Sequence, residues 1–308
     1  MVFTQMSAQA LSQAIHRRQV SCREVMQACL KQIERHNPTF NAIINLQDPD
    51  GLLQQADACD AQLARGHSMG WMHGLPIAIK DLAATAGIVT TLGSPLLKDS
   101  VPSQDAVMVS RIRRAGAIVI GKTNVPEFGL GSHSFNELFG ATANAYDPSK
   151  TAGGSSGGAA VALALRMLPV ADGSDFMGSL RNPAGWNNIF GMRPSQGRVP
   201  NAPSSDVYVS QMPTEGPMGR HVTDLALLLS TQAGYVTSCD SLARCNKPVW
   251  TRDPNGNQTD YSYDGTTGQI TSITSPAPQL GSARPQVNYS YQRVSGRSEE
   301  HTSELQSR

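Results

Sequence analysis

Residues 153–160 read GGSSGGAA and combine a permissive backbone with two hydroxyl groups, those of Ser155 and Ser156. Four glycines and two serines in six positions lead directly into apolar residues, which is typical of a backbone that bends sharply and passes close to another group. A flexible linker is the alternative, but linkers seldom join two apolar elements without polar residues at the margins. The composition favours a packed turn with serine hydroxyls available for chemistry.

A second polar cluster, residues 172–181 with the sequence DGSDFMGSLR, follows an apolar segment at residues 168–171. We predict a strand for the apolar segment and a loop for the cluster, and loops at the ends of buried strands often carry the chemistry of α/β proteins. The cluster contains no histidine. A serine nucleophile in it would therefore need another kind of base.

Lys80 is the candidate base, because it closes the apolar run at residues 75–79. A poorly solvated lysine loses part of its preference for the ammonium form, so its pKa falls and the neutral amine can accept a proton near neutrality. The alternative is a lysine that pairs with Asp81 or another carboxylate at the strand end. This segment alone favours that alternative.

Residues 116–123, GAIVIGKT, match the phosphate-loop pattern G-x4-G-K-[ST] letter for letter. A phosphate loop needs flexible residues between its glycines, since its backbone N–H groups must curl around phosphate oxygens. Here the intervening residues are Ala-Ile-Val-Ile, which favour a buried strand, and a helix is predicted before them. We therefore expect a strand here and no nucleotide site.

The elements that would position these residues form an α/β pattern. Ser21 and Glu24 form a capping box that starts a helix, which Asn37-Pro38 should stop, and a further amphipathic helix should end near Gly66. Short apolar runs then alternate with helical ones, with strands predicted at residues 75–79, 117–120 and 168–171 and helices at residues 105–115 and 158–166. The expected fold is α/β, with a mixed, largely buried β-sheet core flanked by helices.

The composition of the chain indicates which classes of binding partner to expect. Lysine and arginine number 25 against 24 aspartates and glutamates, a net charge of +1, so neither nucleic acid nor an anionic membrane is an expected partner. The five cysteines are an odd count at spacings that favour neither a disulfide framework nor a zinc site. No signal peptide or membrane-spanning segment is expected, so we predict a cytoplasmic protein with a small-molecule substrate.

Taken together, GLPIAIKD, GGSSGG and GSDFMGSLR, in this order, closely resemble the amidase-signature family. The resemblance runs from about residue 7 to about residue 235 and includes GKTNVPEF, GATANAYDP and GMRPSQGRVP. It implies the truncated amidase-signature fold of a hydrolase that acts on the C–N bonds of linear, non-peptide amides. It also implies that no metal or organic cofactor is needed.

The resemblance assigns roles to residues of this chain. Ser179 would be the nucleophile that forms an acyl-enzyme, Ser155 would relay its proton, and Lys80 would be the base. The Gly154–Ser155 peptide bond would be cis. The oxyanion hole would be formed by the backbone N–H groups of the preceding loop, those of Phe176, Met177 and Gly178. The side chains that support the site would be those of Ser174, Asp175 and Arg181.

One departure from the family lies beside the nucleophile. The commonest family pattern there is Thr-Gly-Gly, whereas this chain has Phe176-Met177-Gly178. The backbone donors survive, but a side chain at Met177 penalises any positive φ that glycine would tolerate. Either the loop avoids positive φ at Met177, or the substrate pocket is narrower than in other members of the family. We expect an altered substrate specificity.

After about residue 235 the sequence changes character. Residues 236–296 are polar, and residues 251–265 resemble the tyrosine-aspartate repeats of RHS-type surface proteins. Residues 297–308 look like a translated sequencing adapter and are expected to be disordered. We therefore predict a chimeric chain, with a partial amidase-signature domain at residues 1–235, a foreign segment at 236–296 that is irregular or forms short β-strands, and an adapter-derived tail.

The function expected is an amidase that hydrolyses a carboxylic amide to an acid and an amine or ammonia, with activity impaired by truncation. One component of a glutamine amidotransferase of the glutamyl-tRNA type is the chemical alternative. A non-enzymatic RHS-like surface repeat protein is the alternative from another class. The amidotransferase component would need partner subunits and a carrier nucleic acid, and a homodimer is the alternative assembly.

Overall fold

The computed structural model describes residues 3–200, 212–233, 250–252, 258–263, 270–277 and 283–288 of the 308-residue chain. The chain divides into two compact units, Met1–Gly234 and Tyr235–Arg308. The helices described all belong to the first unit, and they are α1 (Ala8–His16), α2 (Cys22–Phe40), α3 (Pro49–Ala64), α4 (Val107–Arg114), α5 (Gly157–Ala164), α6 (Arg181–Trp186) and α7 (Val222–Ala233).

Three small sheets accompany these helices. The first has the order β1-β3-β2 and consists of β1 (Ile43–Ile44), β2 (Pro76–Lys80) and β3 (Ile118–Thr123), with β2 parallel to β3 and β1 antiparallel to it. The second is the hairpin of β4 (Phe135–Asn136) and β5 (Gly140–Ala141). The third is antiparallel, with the order β6-β8-β7, and consists of β6 (Val170–Asp175), β7 (Phe190–Gly191) and β8 (Thr214–Gly219). The expected mixed α/β fold is confirmed.

Local sequence explains the helix ends. Ser21 accepts a hydrogen bond from the backbone of Glu24, whose carboxylate accepts one from Ser21 N in return, so the predicted capping box is present at the start of α2. The predicted end of α3 is also confirmed. Gly66 follows that helix with φ 80°, the left-handed conformation in which glycine is favoured.

The predicted stop of α2 at Asn37-Pro38 is wrong. Pro38 lies inside the last turn of the helix, which continues to Phe40 and ends where Asn41 takes the left-handed conformation at φ 49°. A proline near a helix end removes only one backbone donor, so the remaining turn can persist. Asn37 also holds the exit in place, because its side-chain oxygen accepts from Ala42 N and Ile43 N.

The phosphate-loop match is a strand, as its apolar residues predicted. β3 is buried along its whole length between its two neighbours, and it extends beyond the predicted residues 117–120 to Thr123. Its lysine, Lys122, is 0% exposed and donates from Nζ to Ala83 O at 2.6 Å and to Thr85 Oγ1 at 2.8 Å. This lysine is therefore a structural part of the core.

The boundary predicted between strand and loop at residue 171 is also wrong. β6 runs on to Asp175, because β8 pairs with it from Val170 opposite Gly219 to Asp175 opposite Thr214. The partner strand reads TEGPMG, and its two glycines and one proline argue against a strand. The three polar residues Asp172, Ser174 and Asp175 thus lie on a rigid strand.

Helix α5 is the element that brings the serine segment into the core. Its residues from Gly157 to Leu163 are all buried, and they are small enough for close backbone contact. A Cβ at Gly158 would lie 2.4 Å from Asn124 N and 2.5 Å from Ala42 O. Glycine is needed here because the helix start packs directly against the backbone that follows β3.

The second unit contains an antiparallel sheet of order β12-β11-β10-β9, formed by β9 (Trp250–Arg252), β10 (Gln258–Tyr263), β11 (Ile270–Thr274) and β12 (Gln286–Asn288). The predicted adapter-derived tail, residues 297–308, lies outside the described residues. The foreign origin and boundaries of residues 236–296 stay predictions. In the part of the chain described, no helix has the length and apolar character needed to cross a bilayer.

Candidate active site

Lys80 ends β2 with its side chain fully buried among three serine hydroxyls. Its Nζ atom lies 2.8 Å from each of the Oγ atoms of Ser155, Ser156 and Ser174, and 3.4 Å from the carbonyl oxygen of Ser174. Hydroxyls both donate and accept, so these contacts suit either protonation state of the amine. The structure thus brings together three of the residues to which the sequence assigned a role, Lys80, Ser155 and Ser174.

Two elements deliver the hydroxyls to the amine. Ser174 comes from β6, whose neighbouring Asp172 accepts a hydrogen bond from Lys80 N at 2.9 Å and so joins β6 to the end of β2. Ser155 and Ser156 come from the turn before α5, where the Gly154–Ser155 peptide bond is cis, as the resemblance implied. Ser134 supports this turn, because its Oγ accepts from Gly157 N at 2.9 Å.

Burial decides the protonation of the base. Desolvation lowers the pKa of Lys80 from its ordinary value of 10.5 to about 8, against the opposing influence of Glu215, Asp172 and Asp175. The alternative of a Lys80–Asp81 pair is wrong. The Asp81 carboxylate instead accepts from Thr91 Oγ1 at 2.5 Å and from the backbone N–H groups of Thr91 and Gly93.

Ser179 lies beside the serine pair and is half-buried. Its carbonyl oxygen accepts a hydrogen bond from Ser156 N at 3.2 Å. In the described part of the chain, this backbone bond joins the predicted nucleophile to the turn that carries Ser155. Half-burial leaves the residue accessible from outside, which a nucleophile requires.

The loop before Ser179 carries the predicted oxyanion donors. Gly178 has φ 121° and takes the positive-φ position of this loop, so Met177 escapes the strain that its side chain would bring. Met177 is 85% exposed and Phe176 41%. Gly178 N donates to Asp175 Oδ1 at 2.8 Å, so this predicted donor is already engaged and would have to leave Asp175 to reach an oxyanion.

Asp175 anchors that loop. Its carboxylate accepts from Arg181 Nε at 2.9 Å and from Leu180 N at 3.1 Å, and it also pairs with Arg193 at 3.1 Å. Burial alone would raise the pKa of Asp175, but the hydrogen bonds from Arg181, Gly178 and Leu180 hold it well below its ordinary value. The carboxylate therefore remains charged and holds the loop ahead of Ser179.

Two contacts of this site were not predicted. Ser156 is as close to Lys80 as Ser155 is, and its place beside Ser155 in the double-serine segment was the available indication. Arg193 donates to the carbonyl oxygen of Asp175 as well as to its carboxylate. It lies 18 positions further along the chain, in the GMRPSQGRVP segment that resembles the family, but the sequence gave no indication of its partner.

This arrangement suits proton transfer to and from a hydroxyl nucleophile. A buried amine with a lowered pKa accepts a proton near neutrality, and a hydroxyl in contact with it can pass that proton on. In the described residues, no group of histidine, cysteine, aspartate and glutamate side chains is arranged to hold a metal ion.

A family model described as Amidase matches residues 24–261. Among curated proteins, the chain is 42% identical over 229 residues to a glutamyl-tRNA(Gln) amidotransferase subunit from Azoarcus sp. (strain BH72), covering 74% of this chain and 46% of that protein. The corresponding protein from Thermus thermophilus is 42% identical with the same coverage. The chain spans about half the length of the curated relatives it matches.

Solved structures of amidases have the same fold. The peptide amidase from Stenotrophomonas maltophilia matches with a TM-score of 0.69 and 32% identity, over 79% of this chain and 52% of that one. A bacterial aryl acylamidase assigned to the amidase-signature enzymes matches with a TM-score of 0.69 and 33% identity, over 74% of this chain and 47% of that one.

Proposed function

This chain belongs to the amidase-signature family, and from that premise we propose that it hydrolyses carboxylic amides through Ser179, Ser155 and Lys80. The observation that carries the proposal is the buried Lys80 amine, 2.8 Å from the hydroxyl of Ser155 on a turn that is hydrogen-bonded to Ser179. A base that is partly neutral near pH 8 and in contact with a hydroxyl relay activates a serine without histidine.

The proposed proton path uses the contact between Lys80 Nζ and Ser155 Oγ and requires the Ser179 hydroxyl to come within reach of Ser155. Ser179 Oγ attacks the amide carbonyl carbon while its proton passes to Ser155 Oγ, and Ser155 gives its own proton to Lys80 Nζ. The resulting ammonium returns one proton by the same path to the leaving nitrogen, and the C–N bond breaks to give an acyl-enzyme and a free amine. Water then enters by the reverse sequence and releases the acid.

The loop of Phe176 and Met177 supplies the charge stabilisation in this proposal. Their backbone N–H groups would donate to the oxyanion of the tetrahedral intermediate, and Gly178 N could join them only by exchanging its bond to Asp175. The exposed Phe176 and Met177 side chains make this loop apolar on its outer surface. Asp175 and Arg181 act as loop supports and take no part in proton transfer.

An amide hydrolysis assay tests the proposal. We expect the 308-residue chain to release the amine of an aryl amide slowly, and Ser179→Ala to abolish that release. Ser103→Ala is the matched control, because Ser103 is an exposed serine and its loss should change nothing. Equal release by Ser179→Ala and the unaltered chain would refute the assignment of the nucleophile.

A second function is favoured by the curated relatives, which are components of glutamyl-tRNA(Gln) amidotransferases. In that case the same serine would hydrolyse glutamine and release ammonia. A comparison of ammonia release from glutamine and from simple aliphatic and aryl amides separates the two. Preference for glutamine supports the amidotransferase function, and preference for other amides supports a free-standing amidase.

A further inference from the structure

Three charged side chains near the base Lys80, those of Lys122, Asp172 and Glu215, have no part in the relay described above. Lys80 and Lys122 are each 0% exposed, and Asp172 is 0% exposed as well. Glu215 retains some exposed surface, but its carboxylate oxygen Oε2 is buried. We call these four residues the charge quartet.

Strand pairing places the two acids on one face. Glu215 of β8 lies directly opposite Ser174 of β6, and Asp172 is two residues from Ser174 along β6. Because side chains alternate along a strand, Asp172, Ser174 and Glu215 share a sheet face. Ser174 Oγ contacts Lys80 Nζ at 2.8 Å, so this is the face that meets the base.

The acids are incompletely satisfied by hydrogen bonds. Asp172 Oδ1 accepts from Lys80 N, but among the described residues Asp172 Oδ2 and Glu215 Oε2 have no hydrogen-bond partner. A buried carboxylate without donors is costly unless a positive charge lies near it. The amine of Lys80 is the nearby source of that charge, since Lys80 N donates to Asp172 and Lys80 Nζ contacts Ser174, which lies opposite Glu215.

We propose that Asp172 and Glu215 are positioning residues for Lys80, which stabilise its ammonium form at the moment when the proton of Ser179 arrives. The inference rests on the proposed function. In that step the O–H bond of Ser179 breaks and an N–H bond forms on Lys80 through exchange at Ser155, while both carboxylates stay ionised. Burial raises the pKa of Asp172 to about 6 and that of Glu215 to about 7, both below the pKa of about 8 of Lys80. Asp172 also fixes the end of β2 through the Lys80 backbone.

The electrostatics around Lys80 support this assignment. Burial lowers the pKa of Lys80, and Glu215, Asp172 and Asp175 in that order oppose the change. Asp175 is already committed to Arg181 and Arg193. On the neighbouring strand, burial lowers the pKa of Lys122 to about 8, opposed first by Asp81, then by Asp172 and Glu215, and last by Asp105.

Lysine NMR can measure the effect without any catalytic assay. The chain has six lysines, so ¹³C-labelled lysine gives few side-chain resonances, and Lys80→Arg and Lys122→Arg each remove one of them for assignment. We expect Glu215→Gln to lower the titration midpoint of Lys80 by about one pH unit, as the loss of a nearby opposite charge does. Asp172→Asn should lower it as well.

Asp224→Asn is the matched control, because Asp224 is a fully buried carboxylate that binds the backbone at the start of α1, outside the quartet. A Lys80 midpoint that moves no more in Glu215→Gln and Asp172→Asn than in this control would overturn the proposal. If Glu215→Gln does not fold, the Lys80 midpoint in Asp172→Asn decides alone, and a midpoint there that matches the control overturns the proposal. The Lys80 midpoint could shift in these variants while the unaltered chain hydrolyses no amide. That result would contradict the proposed function, but it would support the assignment of Asp172 and Glu215 as positioning residues.

Discussion

In the proposed relay, the lowered pKa of Lys80 would make the reactivity of Ser179 depend steeply on pH. With a pKa of about 8, about 1% of the amine is neutral at pH 6 and about half at pH 8. The sign follows from the role of a base, because the protonated amine cannot accept the proton of the nucleophile. We therefore expect Ser179 to react about 50-fold faster at pH 8 than at pH 6.

A small fluorophosphonate is the suitable probe, because it tests activation of the nucleophile and makes little demand on a complete acyl pocket. The rate of adduct formation, followed by intact-protein mass spectrometry from pH 6 to pH 9, should rise with pH and level off above the midpoint. Lys80→Met should remove most of the reactivity at every pH. Lys98→Met changes an exposed lysine and is the matched control.

Two results would refute the reasoning. A labelling rate that is flat from pH 6 to pH 9 would mean that no group with this midpoint activates the serine. A rate that still rises about tenfold between pH 8 and pH 9 would mean that Lys80 titrates near the ordinary lysine value of 10.5 and is not desolvated in solution.

Three further substitutions test the framework around the site. Gly158→Ala should destabilise the fold by about 1–3 kcal/mol through the clash with Asn124 N, whereas Gly185→Ala, with no atom within 4 Å of its Cβ, should leave the urea midpoint nearly unchanged. Asp224→Asn should cost about 1–3 kcal/mol in urea unfolding, since its carboxylate accepts from Ala8 N and Gln9 N at 2.9 Å; an unaltered midpoint would contradict this. Asp175→Asn should slow fluorophosphonate labelling about 10- to 100-fold by loosening the loop, and an unchanged rate would show that the loop needs no such anchor.

Local patterns in the sequence predicted the elements whose ends are set by local chemistry. The capping box of Ser21 and Glu24 and the left-handed Gly66 depend on residues within one helical turn, so both could be read directly. The apolar character of residues 117–120 was enough to reject a phosphate loop in favour of a strand.

Elements set by distant partners were predicted less well. β6 extends to Asp175 only because a glycine- and proline-containing strand some 40 residues later pairs with it. The continuation of α2 past Pro38 was also missed, although it depends on neighbouring residues. Asn37 accepts hydrogen bonds from the backbone after the helix and Asn41 ends the helix in the left-handed conformation, and a simple proline rule takes account of neither.

In the candidate site too, residues in distinctive segments were predicted, whereas contacts that depend on the fold were not. Lys80, Ser155 and Ser179 lie in unusual segments, and their order along the chain resembled a family. The contacts of Arg193, Asp172 and Glu215 arise from strand pairing and loop closure across the fold. Asp172 and Arg193 lie in segments that the sequence analysis singled out, but their partners are known only once the strands and loops are placed in three dimensions.

The identity of the acylated residue is the most direct test of the relay. The chain would be mixed with an activated aryl amide, quenched in acid during turnover, and digested for peptide mass spectrometry. If Ser179 attacks while Ser155 only passes the proton to Lys80, the acyl group should be found on Ser179. An acyl group on Ser155 or Ser156, or turnover with no acylated serine, would contradict this relay.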